Sequence, residues 1–279
     1  MTTPLLDVED LRVRFHLRTG TVEAVRGVSF QLGRERLGIV GESGSGKSQT
    51  GRAILGLTPP PGEVTAKRLS FDGIDLQTAS KRTLRTLRGG RISMVMQDPK
   101  YSLNPVMTIG EQIIEAYRAH NPRAGRGEAR DKALAMLEAV RMRDPHRVFA
   151  LYPHEVSGGM GQRAMIAMML VTDPDLLIAD EPTSALDVTV SMEILRILDE
   201  LVSMRGMGLI LISHDLKLVS SFCNRVLVMY AGRVMEEIEA GALHRAQHPY
   251  TQGLLRCLPT LSGSAHPLPT LDRDPAWAR

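Results

Sequence analysis

The sequence predicts an α/β protein with a mainly parallel core sheet, an N-terminal antiparallel β layer and an inserted helical subdomain. Three observations carry this. Residues 11–32 read as short strands of alternating polarity, residues 100–172 turn helical in composition, and from residue 176 apolar strands and helices follow one another in alternation. A repeated strand–helix–strand order packs as a parallel sheet covered on both faces. With 279 residues the chain has material for one sizeable core. The expected division is one domain over residues 1–261, with the helical part inserted at about 100–172, and a short tail over 262–279.

In chain order, Leu11, Val13 and Phe15 alternate with Arg12 and Arg14, the period-two pattern of a strand with one buried face. Thr19-Gly20 makes a turn, and residues 22–25 and 28–32 read as two further strands. Residues 36–40 form an apolar strand, 47–57 a helix stopped by Pro59-Pro60-Pro61-Gly62. Residues 68–71 read as a strand, 80–87 as a basic helix, and 92–96 as a core strand leaving at the polar Gln97. Residues 108–140 are rich in Ala, Glu, Arg and Leu and are interrupted at 121–127. Residues 161–171 form another helix, and its four methionines between Met160 and Met169 are read as core packing. Strands at 176–180, 208–213, 226–230 and 234–238 then alternate with helices at 189–204 and 215–222. The tail, rich in Pro, Ser and Gly, is expected to lie loosely on the surface.

Composition narrows the class. Hydrophobic residues at 43% and charged residues at 23% describe a globular protein, and a net charge of +3 permits an anionic partner without requiring one. Cys223 and Cys257 are the only cysteines and form no CxxC pair, so neither a disulfide framework nor an iron–sulfur cluster, which takes four thiolates, is expected. No leader-like segment is apparent. The longest apolar run, residues 164–171, is far short of the roughly 20 residues a membrane helix needs. The expected location is cytoplasmic, with any membrane association made through a partner. His244 and His248 are four apart, but Pro249 argues against a helix presenting both to a metal.

The chemistry concentrates in three stretches. Gly41-Glu42-Ser43-Gly44-Ser45-Gly46-Lys47-Ser48 matches the phosphate-loop pattern and stands between a strand and a helix. Its glycines let successive N–H groups turn inward, Lys47 brings a point charge to the β- and γ-phosphates, and the Ser48 hydroxyl can ligate Mg²⁺. Leu176-Leu177-Ile178-Ala179-Asp180-Glu181-Pro182 delivers two carboxylates to the end of an apolar strand, where ligands gather on a parallel sheet. Asp180 can hold Mg²⁺ and Glu181 can deprotonate a water. Val156-Ser157-Gly158-Gly159-Met160-Gly161-Gln162-Arg163 offers a hydroxyl and bare backbone donors at a helix start, and on its own could be no more than an N-cap.

Together these stretches resemble the nucleotide-binding subunit of ATP-binding cassette (ABC) transporters, over roughly residues 5–255. The resemblance implies the P-loop NTPase fold of the ABC ATPases. It places Gln97 at the Q-loop, Ser157-Gly158-Gly159 with Gln162 at the signature motif, and Asp180 and Glu181 at the Walker B aspartate and catalytic glutamate. Ser184-Ala185-Leu186-Asp187 is similar to the D-loop, His214 in Ile212-Ser213-His214-Asp215 to the switch histidine, and Phe15 to the aromatic that stacks on adenine. Val156 replaces the commoner leucine, and Gly161 stands where relatives often carry a larger side chain, a change expected to loosen the start of the signature helix. Gln97-Asp98-Pro99, Ser102-Leu103-Asn104-Pro105 and His248-Pro249-Tyr250-Thr251 resemble the peptide/nickel/opine branch of importers.

The resemblance also implies a role for single residues. ATP binding falls to Phe15, Gly41, Glu42, Ser43, Gly44, Ser45, Gly46, Lys47, Ser48 and Gln49 on one side, and to Ser157, Gly158, Gly159, Gln162 and Asp187 on the other. Catalysis falls to Glu181, His214 and Gln97, and Mg²⁺ to Ser48, Gln97 and Asp180. Two subunits close head to tail around two ATP molecules, a sister ATPase being favoured over a second identical copy. Residues 100–121 dock a permease helix. The implied assembly holds two permeases and an extracytoplasmic solute-binding protein, puts this subunit peripherally on the cytoplasmic face of the membrane, and takes up peptides, nickel or metal chelates, or opine-like solutes. The alternative is an ABC ATPase acting on nucleic acid or ribosomes, whose members usually carry two cassettes or a long coiled-coil insertion. A phosphate-loop kinase or switch GTPase would leave the Ser-Gly-Gly corner and His214 without work.

Overall fold

A computed structural model describes residues 4–184, 186–258, 271 and 273–278. In chain order the elements are β1 (Leu6–Leu17), β2 (Gly20–Leu32), β3 (Arg36–Val40), α1 (Lys47–Ile54), β4 (Gly62–Thr65), β5 (Arg68–Phe71), β6 (Ile74–Asp75), α2 (Lys81–Leu87) and β7 (Ile92–Val95). After them come α3 (Ile109–His120), α4 (Arg126–Ala139), α5 (Pro145–Ala150), α6 (Gly158–Leu170), β8 (Leu176–Asp180), α7 (Val188–Arg205), β9 (Gly208–Ser213), α8 (Leu216–Phe222), β10 (Arg225–Tyr230), β11 (Arg233–Glu239) and α9 (Pro249–Arg256). The chain forms two compact units, one of residues 1–79 and 210–279, the other of residues 80–209, and the boundary falls inside β9.

The first unit holds the antiparallel layer. β1 is its centre, pairing with β2 along one edge and with β4 and then β5 along the other. Residues 22–25 and 28–32, expected as two strands, fall in one, β2. Its pairing with β1 shifts register at three places, and Gly27 has φ 84°, so the break seen in the pattern is a bulge and not a gap. The inward residues Leu6, Leu11 and Leu32 are wholly buried. β3 lies parallel to β10, which is antiparallel to β11. Leu37, Gly38, Ile39 and Val40 of β3 are all buried, the run expected of a strand covered on both faces.

The helix after the phosphate loop stops earlier than the sequence suggests. Leu57 N–H donates to the Arg52 carbonyl at 2.8 Å and Gly56 N–H to that of Ala53 at 2.9 Å, with Gly56 at φ 58°. This is a Schellman cap, which only a left-handed residue closes, and so Gly56 ends α1 before the proline run is reached. Pro249 likewise does not interrupt a helix. It occupies the first turn of α9 with His248 as the N-cap, where a missing N–H costs nothing.

In the second unit β7 and β8 pair in parallel, and every residue of both is buried. Helices α3 to α6 make up the helical part. α3 starts on a full capping box between Thr108 and Glu111, and α6 starts on Ser157. Of the methionines in α6 only Met165 is fully buried, and Met160, Met168 and Met169 are half-buried. Burial pushes the Cys223 thiol up to about 12, which leaves it an inert packing group. Among the described residues no helix is long and apolar enough to cross a membrane, and no His, Cys, Asp and Glu side chains cluster as a metal site.

Candidate nucleotide site

The phosphate loop leaves β3 at Gly41 and enters α1 at Lys47. Gly41, Gly44 and Gly46 take φ of 153°, 80° and 99°, values that curl the backbone and suit glycine alone. At Gly41 a Cβ would also lie 2.1 Å from the Met229 carbonyl oxygen of β10. Gly44 differs, because a Cβ there would meet nothing within 4 Å, so the tip of the loop is open. Lys47 is folded into the loop and only 5% exposed. Its ammonium donates to the carbonyls of Gly41 at 2.9 Å and Glu42 at 2.8 Å. Buried ammonium held by neutral carbonyls, next to an open ring of left-handed glycines, fits an anion with several oxygens. Ser48 and Gln49 are half-buried in the first turn of α1, and Gln49 Oε1 is a buried acceptor with no partner.

Phe15 sits half-buried on β1, opposite Val22 of β2 and Gly62 of β4, where a Cβ on Gly62 would lie 2.9 Å from its ring. The glycine leaves the edge of the ring room. His214 follows the last residue of β9 and is exposed, while Ser213 Oγ accepts the Asp215 N–H at 3.0 Å and fixes the turn that carries it.

In the second unit Asp180 ends β8 and is only 5% exposed. Glu181, the next residue, has φ 47°. A glutamate in the left-handed region is strained by about 1 kcal/mol or more, and such strain gathers where a side chain must be aimed. Gln97, just beyond β7, lies with Nε2 3.5 Å from Glu181 Oε2. The parallel pairing of β7 with β8 thus brings together two residues 84 apart in sequence. Ser157 caps α6 by accepting the Met160 N–H at 3.3 Å, and Ser157 and Gly158 are exposed. This corner faces the start of α7, with a Cβ on Gly158 3.8 Å from Leu186 and one on Gly159 2.8 Å from Val190. Gln162 lies inside and not on the corner: it is 1% exposed and its Nε2 has no partner. Asp187 caps α7 by accepting the Val190 N–H at 3.0 Å. Ala185 lies outside the described residues.

Two supports were not legible in the pattern. Gln112 of α3, 5% exposed, accepts the Asn104 N–H at 2.8 Å and donates to the carbonyls of Asn104 and Met107 at 3.0 Å each. It pins a loop whose Val106 is 79% exposed. A polar residue on the apolar stripe of a helix was the available signal. Tyr250, wholly buried, accepts the Glu42 N–H at 3.4 Å through its hydroxyl, and burial pushes that hydroxyl up to about 12. No local sequence signal joins residues 208 positions apart.

The profile of the ABC transporter family matches residues 25–184 of the chain. A probable peptide ABC transporter ATP-binding protein of Sinorhizobium fredii, y4tR, is 49% identical over 261 residues, covering 91% of this chain and 77% of the relative. The dipeptide transport ATP-binding protein DppD of Escherichia coli is 45% identical over 269 residues, 96% of this chain and 82% of its own. The oligopeptide transport ATP-binding protein OppD of Salmonella typhimurium is 46% identical over 273 residues, 97% and 81%. Among solved structures, the ATP-binding cassette MJ0796, as a dimer bound to ADP and Pi, superposes with TM-score 0.74 at 26% identity, covering 84% of this chain and 98% of that one. CbiO1 of Clostridium perfringens, part of the ABC transporter complex cbiONQ, gives 0.73 at 26% identity over 91% and 96%. With its phosphate loop, its strained strand-end glutamate and these matches over nearly its whole length, the chain belongs to the ABC transporter family, as an ATP-binding, ATP-hydrolysing subunit.

Proposed function

We propose that this subunit drives the import of peptides, hydrolysing ATP in a head-to-tail dimer whose two ATP molecules are each held by one subunit and capped by the other. The observation that carries the reading is Glu181, an acidic side chain at φ 47° directly after a buried strand, with the Gln97 amide at 3.5 Å. Lys47 and the loop amides bind the β- and γ-phosphates, and Phe15 stacks on the adenine. Ser48, Asp180 and Gln97 would hold Mg²⁺, which would supply neutralisation of phosphate charge. Glu181 takes a proton from the water that attacks the γ-phosphorus, ADP leaves with the electrons of the broken P–O bond, and His214 steadies the γ-phosphate.

The Ser157-Gly158-Gly159 corner serves the nucleotide of the neighbouring subunit. Gly158 supports this, since its own fold leaves room for a Cβ. Transport of peptides is supported by the names of the relatives, and it is one of the solute classes the sequence left open. All catalytic positions are filled, so either a second copy or a sister ATPase completes the dimer. Two permeases, a solute-binding protein and a peripheral place at the membrane complete the assembly, with the pinned loop carrying Val106 as the permease contact.

Glu181→Gln tests this. ATP binding should persist, hydrolysis should fall by about 10²- to 10⁴-fold, and size-exclusion chromatography with ATP should show a trapped dimer. Wild-type turnover in this variant would remove Glu181 from the reaction.

A further inference from the structure

Glu42, inside the phosphate loop, is held at all three of its polar groups. Its carbonyl accepts Lys47 at 2.8 Å, its N–H donates to the Tyr250 hydroxyl at 3.4 Å, and its carboxylate receives Arg273 Nη2 at 2.6 Å and Nε at 3.3 Å. Two of the three partners come from beyond residue 248. The segment that brings Arg273 is anchored in turn. The Trp277 ring lies 5.8 Å from Tyr250, 6.2 Å from Tyr230 and 5.8 Å from His248, edge-on or tilted. Tyr250 itself packs on Tyr230 at 4.7 Å. His248 takes the Tyr250 N–H on Nδ1 at 3.1 Å, and the Glu236 carboxylate accepts the N–H groups of Gln247 and His248 at 2.7 and 3.2 Å. The part of the tail that the structure describes is therefore a fastened strap, against the expectation of a loose surface segment. Residues 262–270, 272 and 279 lie outside the described residues.

We propose that Tyr250, Arg273 and Trp277 are positioning residues for ATP binding: a clamp that fixes Glu42 and cancels its charge beside the phosphates. The proposal rests on the reading of Gly41–Ser48 as the ATP phosphate site. Two physical effects follow. A loop fixed before the nucleotide arrives loses less conformational freedom on binding. A carboxylate within a loop built for a polyanion repels that anion unless a cation answers it, and Arg273 answers it with two N–H donors. The aromatic group supplies the rigid footing, since a pair between half-exposed side chains is weak when its partner is free to leave.

The test is titration of the full chain with ATP in EDTA, which prevents hydrolysis, together with thermal melting of each variant. Arg273→Ala should weaken ATP binding by roughly three- to tenfold at low ionic strength, with the deficit shrinking at high salt and the melting temperature nearly unchanged. Trp277→Ala should act in the same direction. Glu42→Gln combined with Arg273→Ala should restore affinity to within roughly twofold of wild type, because the charge that needed cancelling is gone. Tyr250→Phe, which removes only the hydroxyl, should weaken binding by roughly threefold. Wild-type or tighter binding by Arg273→Ala, or a double variant as weak as the single one, would overturn the clamp. Failure of the underlying site looks different: the wild type would bind no ATP, or Lys47→Ala would bind it as well as the wild type.

Discussion

Two corners of this chain start a helix on glycines, and they are built on opposite plans. In the phosphate loop all three glycines lie in the left-handed region, and the lysine is folded inside with 5% of its surface exposed. In the Ser157 corner the cap residue has φ −67° and ψ 162°, and none of Gly158, Gly159 and Gly161 is left-handed. The first corner needs glycine for reasons internal to the fold, because a Cβ at Gly41 would strike the Met229 carbonyl at 2.1 Å. At Gly158 the nearest atom would be a leucine methyl at 3.8 Å, an ordinary contact. The fold does not ask for a small residue there. At Gly159 a Cβ would press on Val190 at 2.8 Å, so only the exposed Gly158 is left to the approach proposed for the neighbouring subunit's ATP.

Gly158→Asp should cut hydrolysis by about 10²-fold or more, the scale of losing a donor aimed at the transition state. It should leave ATP binding by the dilute, single chain unchanged. An equal loss of single-chain binding would mean that the corner serves its own subunit's nucleotide. Lys47→Ala should act the other way, weakening single-chain binding by about ten- to a hundredfold, the worth of a charge-assisted contact. Unchanged affinity in a calorimetric titration would count against the buried ammonium as the phosphate contact. Gly161→Ala gives the smallest effect. Its Cβ would sit 3.6 Å from Pro99 in a helical backbone, so urea denaturation should show a gain of about 0.5–1 kcal/mol. A destabilised variant would show that the helix start needs glycine at more than its exposed tip.

Much of this was legible because it is local. The strands at 176–180 and 208–213 coincide with β8 and β9 to the residue, since continuous apolar runs between turns have few alternatives. The loop Gly41–Ser48 could be read in eight residues because its curl follows from closely spaced glycines, followed at once by Lys47 and Ser48. Elsewhere the local signal misled. Pro249 looked like a helix breaker and opens α9, because proline is excluded from a helix interior but suits its first turn. The proline run at 59–61 looked like the end of α1, yet Gly56 ends it, because a left-handed glycine closes a cap wherever the last carbonyls need one.

The α/β class, the phosphate-loop motif and the Asp180-Glu181 pair are each set by neighbours along the chain. Folding alone lets Gln97 meet Glu181 across two parallel strands, Gln112 hold the 104–107 loop, and Arg273 and Tyr250 grip Glu42. Those contacts join residues from 8 to 231 positions apart. A hydrogen bond or an ion pair acts only at contact distance, and most of these separations are closed by the packing of the whole chain, not by any residue near its partner in sequence.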